Sequence, residues 1–157
     1  MKEFKAYYSS PIGPVEISGT PGGIVSLTFV KTRRPSDRNL PECVKKGIQQ
    51  LDEYFKGIRT SFSLKLVLQG TPFQKLVWRR LKKIPYGTLA SYGEVARAIG
   101  KPKAYRAVGN ANNKNPVAII IPCHRVIGSD GTLVGYGSGL WRKEWLLDHE
   151  KRRSKAF

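Results

Sequence analysis

Residues 91–112 decide the fold: Ser91-Tyr92-Gly93-Glu94-Val95-Ala96-Arg97-Ala98-Ile99-Gly100-Lys101-Pro102-Lys103-Ala104-Tyr105-Arg106-Ala107-Val108-Gly109-Asn110-Ala111-Asn112. Ser91 can cap a short helix over residues 92–99, which Gly100 and Pro102 stop. A second short helix, residues 104–112, follows. Two short helices joined by Gly100–Lys103 are the outline of a helix-turn-helix, whose second helix meets DNA. Two core helices meeting at a tight corner would have the same outline, so the flanks decide between them.

Before this pair, Thr71-Pro72 forms a helix start, a cap followed by proline in the first turn. Phe73, Leu76, Val77, Leu81 and Ile84 give that helix an apolar stripe, and Pro85-Tyr86-Gly87 ends it. After the pair, Asn115-Pro116 leads into residues 117–121, a continuous apolar run with three isoleucines that suits a buried strand. That run delivers the chain into Pro122-Cys123-His124-Arg125-Val126. Residues 128–139 hold five glycines and read as a loop or hairpin. Residues 140–150 read as a last helix. Trp78, Trp141 and Trp145 read as core or interface.

The first seventy residues have a different texture. Residues 4–9 suit a strand, 11–14 a turn, and 15–17 with 24–30 a hairpin around Gly19-Thr20-Pro21-Gly22-Gly23. Residues 31–39 are a basic loop. Leu40, Val44, Ile48, Leu51 and Phe55 recur at helical spacing, predicting an amphipathic helix over 40–56. Alternation over 62–68 predicts one more strand. The chain is therefore expected to be α/β, with a small N-terminal α/β domain (1–70) and a mainly helical C-terminal domain (71–157). The boundary falls near Gln69-Gly70-Thr71-Pro72.

Charge supports the DNA reading. Among 157 residues, 28 Lys and Arg face 11 Asp and Glu, a net charge of +17. Such a surplus calls for a polyanionic partner, nucleic acid ahead of an anionic membrane. Residues 1–70 carry +5 and residues 71–157 carry +12, so the charge concentrates on the half with the helix pair. No apolar run reaches the roughly 18–20 residues that cross a bilayer. The start of the chain lacks the apolar stretch of a signal peptide, and two cysteines are too few for a disulfide framework. A cytoplasmic protein without membrane association is expected. Neither the cysteines nor the histidines fall at a metal-chelating spacing, and the Gly-rich segment lacks the Lys-Ser/Thr ending of a phosphate-binding loop. No metal is expected.

The chemistry centres on Cys123. A thiol attacks as thiolate, so it needs a base or a positive charge close by. His124 and Arg125 are adjacent. On an extended strand neighbours point to opposite faces, so contact requires a break, which Pro122 makes plausible. Cys, His and a carboxylate make up a base-activated nucleophile. Asp148 or Glu150 on the last helix could supply the carboxylate. Cys43, near the apolar face of the amphipathic helix, reads as a packing residue.

Ile121-Pro122-Cys123-His124-Arg125-Val126 resembles the acceptor-cysteine signature of the O6-alkylguanine-DNA alkyltransferases. Pro85-Tyr86-Gly87 with Ser91-Tyr92, then Arg106-Ala107-Val108-Gly109, Asn115-Pro116, Tyr136, Lys143-Glu144-Trp145-Leu146-Leu147 and Glu150 follow that family's order. The resemblance is close over residues 71–153 and holds only in outline over 1–70. It implies a ribonuclease-H-like N-terminal domain and a winged helix-turn-helix C-terminal domain. It also implies irreversible, single-turnover transfer of an alkyl group from O6-alkylguanine in duplex DNA to Cys123 after base flipping. The protein would act as a monomer and consume no cofactor.

The same resemblance implies roles. His124 would take the thiol proton through a water, Glu150 would orient His124, and Asn115 would tie the turn to the cysteine segment. Tyr92 would crowd the phosphate and donate to the base. Arg106 would fill the vacated stack, with Ala104, Gly109, Asn110, Asn112 and Arg125 also on the DNA side. Val126, Tyr136, Gly137 and Ser138 would line the pocket, and backbone groups of Cys123 and Val126 would read the guanine's exocyclic amine. Two departures stand out: Gly137-Ser138-Gly139 replaces the common Ser-Gly-Gly, and Asn112 takes a slot often apolar. Alternative functions are a cysteine-lacking damage sensor, a redox-sensing transcription factor and a cysteine hydrolase. The presence of Cys123 opposes the first, the lack of room for an effector domain the second, and the charge the third.

Overall fold

The structure, a computed structural model, describes residues 2–133 and 135–154. The chain forms two compact units, Met1–Gln69 and Gly70–Phe157.

The first unit is a three-stranded antiparallel sheet under one helix. Strands β1 (Phe4–Ser10), β2 (Gly13–Thr20) and β3 (Gly23–Phe29) pair in chain order. Residues 31–39 do more than connect. The Asp37 carboxylate accepts from the Lys5 backbone N–H and the Ser36 hydroxyl from that of Tyr7, so the loop satisfies part of the β1 edge. Helix α1 (Glu42–Phe55) lays Val44, Leu51, Tyr54 and Phe55 against the sheet residues Ile17 and Ile24, all of them buried. Each such side chain contributes about 1.5–3 kcal/mol on leaving water. Gly47 has no side chain because a Cβ there would collide with the end of Ile17. The strand expected over 62–68 is instead a single bridge: Leu66 meets Ile24, the Ile24 N–H donates to the Lys65 carbonyl, and the Val67 N–H donates to the Ile24 carbonyl. Alternating burial is present there up to Leu66, but the segment touches β3 at one point and builds no ladder.

The second unit is helical. Thr71 caps α2 (Pro72–Leu81) with a capping box: its hydroxyl accepts from the Gln74 N–H while the Gln74 side chain accepts from the Thr71 N–H. Ser91 and Glu94 do the same for α3 (Tyr92–Ala98). Gly100, at φ 75°, turns the chain toward α4 (Tyr105–Asn113). Both α3 and α2 pack on α4, and the buried Trp78 donates from its indole N–H to the Ala111 carbonyl, 2.8 Å away. A short parallel pair joins β4 (Ala90–Ser91) to β5 (Val126–Ile127). Helix α5 (Leu140–Ser154) closes the unit.

Residues 117–121 are buried as expected but form no strand. Asn115 folds them back: its Oδ1 accepts from the Val117 N–H and its Nδ2 donates to the Ile121 carbonyl. The Val117 carbonyl accepts from the Ile121 N–H, and Ile119 is forced to φ 72°, where a β-branched residue is strained. The apolar run was a guide to burial; the short polar side chain beside it decided the backbone. Of the tryptophans, Trp78 is core, Trp145 stacks on His149, and Trp141 is 55 % exposed beneath Arg142. Among the described residues no helix is long and apolar enough to cross a membrane.

Candidate active site

Cys123 opens a single 3-10 turn, Cys123–Arg125, directly after Pro122. The turn is the non-extended backbone that adjacency required, and it sends His124 and Arg125 to one carboxylate. Glu150 Oε2 lies 2.7 Å from His124 Nε2, and Arg125 grips both Glu150 oxygens at 2.8 and 3.0 Å. Arg125 also donates to the Ile84 carbonyl, and the Gly87 N–H donates to Glu150 Oε1. Glu150 is thus the carboxylate of the site; Asp148 instead pairs with Arg152 at the surface.

The electrostatics fix protonation states. Burial alone would push the Glu150 carboxyl up, but His124 and Arg125 outweigh it and hold it well below the usual carboxylate range. Burial pushes the His124 imidazole below its ordinary value, against the pull of Glu150. The pair is therefore a neutral imidazole donating from Nε2 to an ionised carboxylate. Nδ1 then carries the lone pair. It is buried and has no hydrogen-bond partner among the described residues, so it is the available base.

Burial also raises the Cys123 thiol, and this outweighs the opposing pulls of Asn115 and Lys143. Neighbouring positive charge, expected to activate the sulfur, moderates a burial effect and does not overcome it. Lys143 is fully buried on α5, and its Nζ donates to the Val126 carbonyl at 2.5 Å. Burial lowers its pKa to about 8. Lys143 stands in the Lys143-Glu144-Trp145-Leu146-Leu147 string that follows the family's order, but the resemblance attaches no role to it. The signal that finds it is helical: Lys143, Leu146 and Glu150 fall at i, i+3 and i+7, and all three are buried.

Tyr92 and Tyr136 approach the sulfur too. Burial raises both phenols, and a negative Cys123 would raise both further. The β4–β5 pair places Tyr92, since Ser91 sits opposite Ile127. Gly135 (φ 63°) crosses the Tyr92 hydroxyl so closely that a Cβ would come within 3.2 Å of it. Val126 is fully buried. Gly137 and Ser138 form the turn before α5, and the Ser138 carbonyl accepts from Arg142. On α4, Arg106 and Asn110 are exposed and Gly109 is half-buried, as is Ala104 at the helix N-cap.

Two residues expected on the DNA face are elsewhere. Arg125 is buried and its guanidinium is consumed by Glu150 and Ile84, because a buried carboxylate must be compensated. Asn112 is 1 % exposed and donates through Nδ2 to the Cys123 carbonyl at 3.4 Å. It lies on the inward side of α4, so helical position alone misplaced it. A cavity of about 380 Å³ lined by Gly87, Leu89, Leu133, Leu147 and Glu150 does not include the sulfur. Among the described residues no cluster of three or more His, Cys, Asp or Glu could hold a metal.

Comparison with known proteins agrees with this geometry. Residues 72–152 match the family model described as 6-O-methylguanine DNA methyltransferase, DNA binding domain, and residues 4–68 match its ribonuclease-like domain. A methylated-DNA–protein-cysteine methyltransferase of Methanosarcina barkeri is 52% identical over 147 residues, covering 90% of this chain and 93% of that one. The crystal structure of Mycobacterium tuberculosis O6-methylguanine methyltransferase superposes with a TM-score of 0.87 at 43% identity, covering 97% and 94%. A structure of the Mycobacterium tuberculosis protein in complex with DNA gives 0.85 at 46% identity, covering 94% and 92%. Both halves of the chain thus match domains of one family, and the chain belongs to the 6-O-methylguanine DNA methyltransferase family.

Proposed function

We propose that the protein repairs O6-alkylguanine in duplex DNA by taking the alkyl group onto Cys123. The observation that carries this reading is the buried His124–Glu150 pair set beside the acceptor cysteine, with Nδ1 left as a base. His124, through a water, receives the thiol proton. The Cys123 thiolate attacks the alkyl carbon, a C–S bond forms, and the C–O6 bond breaks with its electron pair going to the guanine. A proton reaching the base completes the leaving group, and Tyr92 helps supply it. The thioether is stable, so each molecule acts once.

Reaching a paired base requires its extrusion, which costs a few kcal/mol of stacking and pairing. The exposed face of α4 offers Arg106 to occupy the vacated space, and the +17 charge supplies phosphate contacts. The protein works as a monomer in the cytoplasm, where its DNA substrate lies. Mass spectrometry tests the reaction. After incubation with O6-methylguanine duplex, the Cys123 peptide gains one methyl mass, and Cys123→Ala loses transfer while still binding DNA. An unmodified Cys123 peptide at excess duplex would refute the assignment.

A further inference from the structure

Tyr105 opens α4 with its ring in solvent, 49 % exposed. A single exposed apolar side chain is ordinary on a protein surface, so exposure alone assigns it nothing. Its surroundings do. Lys101, Lys103 and Arg106 are exposed around it, so the ring stands on a basic surface. Tyr105 and Gly109 are four residues apart and share one stripe of the helix. A Cβ added at Gly109 would lie 3.9 Å from the Tyr92 ring, so that stripe runs toward the acceptor site. The Arg106 guanidinium lies 6.0 Å from the centroid of the Tyr105 ring, within reach of a cation–π contact. The ring therefore stands beside Arg106, on the stripe that leads to Tyr92.

The physics of an opened duplex says what such a ring meets. Extruding one nucleotide uncovers the π-faces of the bases that flanked it, and side chains that enter a base step hold it open. An aromatic ring stacks on any base, because every base has a π-face, so it serves a protein that finds lesions in varied sequence. We infer that Tyr105 stacks on a base flanking the extruded nucleotide and, together with Arg106, holds the gap in the duplex open. Tyr105 is thus a positioning residue for the reaction. The inference rests on the proposed alkyl transfer and adds a second side chain to the extrusion step. A phosphate contact through the phenol hydroxyl is the competing role, and it separates cleanly, since phenylalanine keeps the ring and loses the hydroxyl.

The test compares Tyr105→Ala and Tyr105→Phe with wild type. Single-turnover transfer is measured from O6-methylguanine duplex and from free O6-benzylguanine. The Ala variant is expected to slow on duplex by about tenfold, the effect of losing one base–aromatic stack, and Phe to stay within about twofold of wild type. Both variants should match wild type on the free base, which has no flanking bases to stack on. A 2-aminopurine placed next to the lesion should fluoresce more brightly in the complex with the Ala variant than with wild type or Phe, because no ring quenches it. A merely structural role for Tyr105 would move the free-base rate and leave that difference in brightness absent. Phe as slow as Ala on duplex would overturn the inference in favour of a hydroxyl–phosphate contact. Equal losses on duplex and free base, or an Ala variant as fast as wild type on duplex, would overturn it too. Wild type inert toward both substrates would instead overturn the transfer reaction itself, so the two failures are distinct.

Discussion

His124 and Arg125 are sequence neighbours whose side chains close on the same carboxylate, one on Glu150 Oε2 at 2.7 Å and the other across both oxygens. The shared anchor makes the acceptor turn one electrostatic unit. Arg125 keeps the carboxylate ionised, the carboxylate fixes the imidazole with its proton on Nε2, and Nδ1 is left basic. Each member is buried, so removing one leaves an uncompensated charge or an unmade hydrogen bond.

Glu150→Gln is therefore expected to cost stability as well as transfer. Taking one partner from a buried ion pair costs about 3–5 kcal/mol, because Arg125 stays charged in an apolar setting. Thermal or urea unfolding measures it. Transfer should fall too, since the amide can present its N–H to Nε2 and invert the tautomer. A variant as stable as wild type would show that Arg125 finds another counter-charge.

The acid limb of stability follows from the same unit. Glu150 stays ionised in the fold to a pH below that at which the unfolded chain takes up its proton, about 4.3 for glutamate. Its contribution is present above that value and is lost as pH falls through the folded pKa. His124, lowered by burial, acts in the same direction from about 6.5 downward, because the unfolded imidazole binds a proton that the folded one refuses. Unfolding free energy should thus fall from pH 7 toward pH 3. Glu150→Gln should flatten the lower part of the curve, and His124→Gln the upper part. Parallel curves for the three proteins would count against this linkage.

The sequence carried most of this site because helix caps, apolar periodicity and an ordered string of residue types are local signals. Ser91, Thr71, α1 and the Cys123-His124 turn are legible that way. What it hid depends on tertiary packing. The 117–121 run is apolar whether it extends or folds, and Asn115 chooses. Arg125 and Lys143 are chemically indistinguishable from surface cations until the fold buries them. Asn112 lies on the same helix as Arg106, and only the packing of α4 shows that it faces inward.

Lys143 shapes the pH profile of transfer. The Cys123 thiol is raised by burial, so the rate should climb with pH through neutrality as thiolate forms. Protonated Lys143 favours that thiolate, and burial brings its own pKa down to about 8. Lys143→Met should slow transfer at pH 7 by about tenfold or more and move the climb to higher pH, the effect of deleting one close positive charge. Rates on free O6-benzylguanine from pH 6 to 10 give the comparison without DNA binding. An unshifted profile would reduce Lys143 to holding the Val126 carbonyl.

Phosphate contact should dominate duplex affinity, so the logarithm of the binding constant should fall linearly with that of salt concentration. Lys101 and Lys103 are exposed on the turn between α3 and α4. Lys103→Ala should weaken plain and lesion-bearing duplex alike and reduce the salt slope by about 1. A loss confined to lesion-bearing DNA would mean that Lys103 touches the flipped base.

Arg106 separates extrusion from chemistry. It lies exposed on α4, its guanidinium 6.0 Å from the Tyr105 ring and distant in sequence from the acceptor turn. If it fills the stack that the lesion vacates, its loss matters only when there is a stack to fill. Arg106→Ala should slow transfer from O6-methylguanine duplex by about tenfold or more, since extrusion costs a few kcal/mol that insertion helps offset. Transfer from free O6-benzylguanine should stay unchanged, because that base is already unpaired and the Cys123–His124–Glu150 unit is intact. A single-stranded oligonucleotide should fall between the two, having stacking but no pairing to break. Equal losses on duplex and free base would place Arg106 in the chemical step or in the folding of α4, and its insertion into DNA would be abandoned.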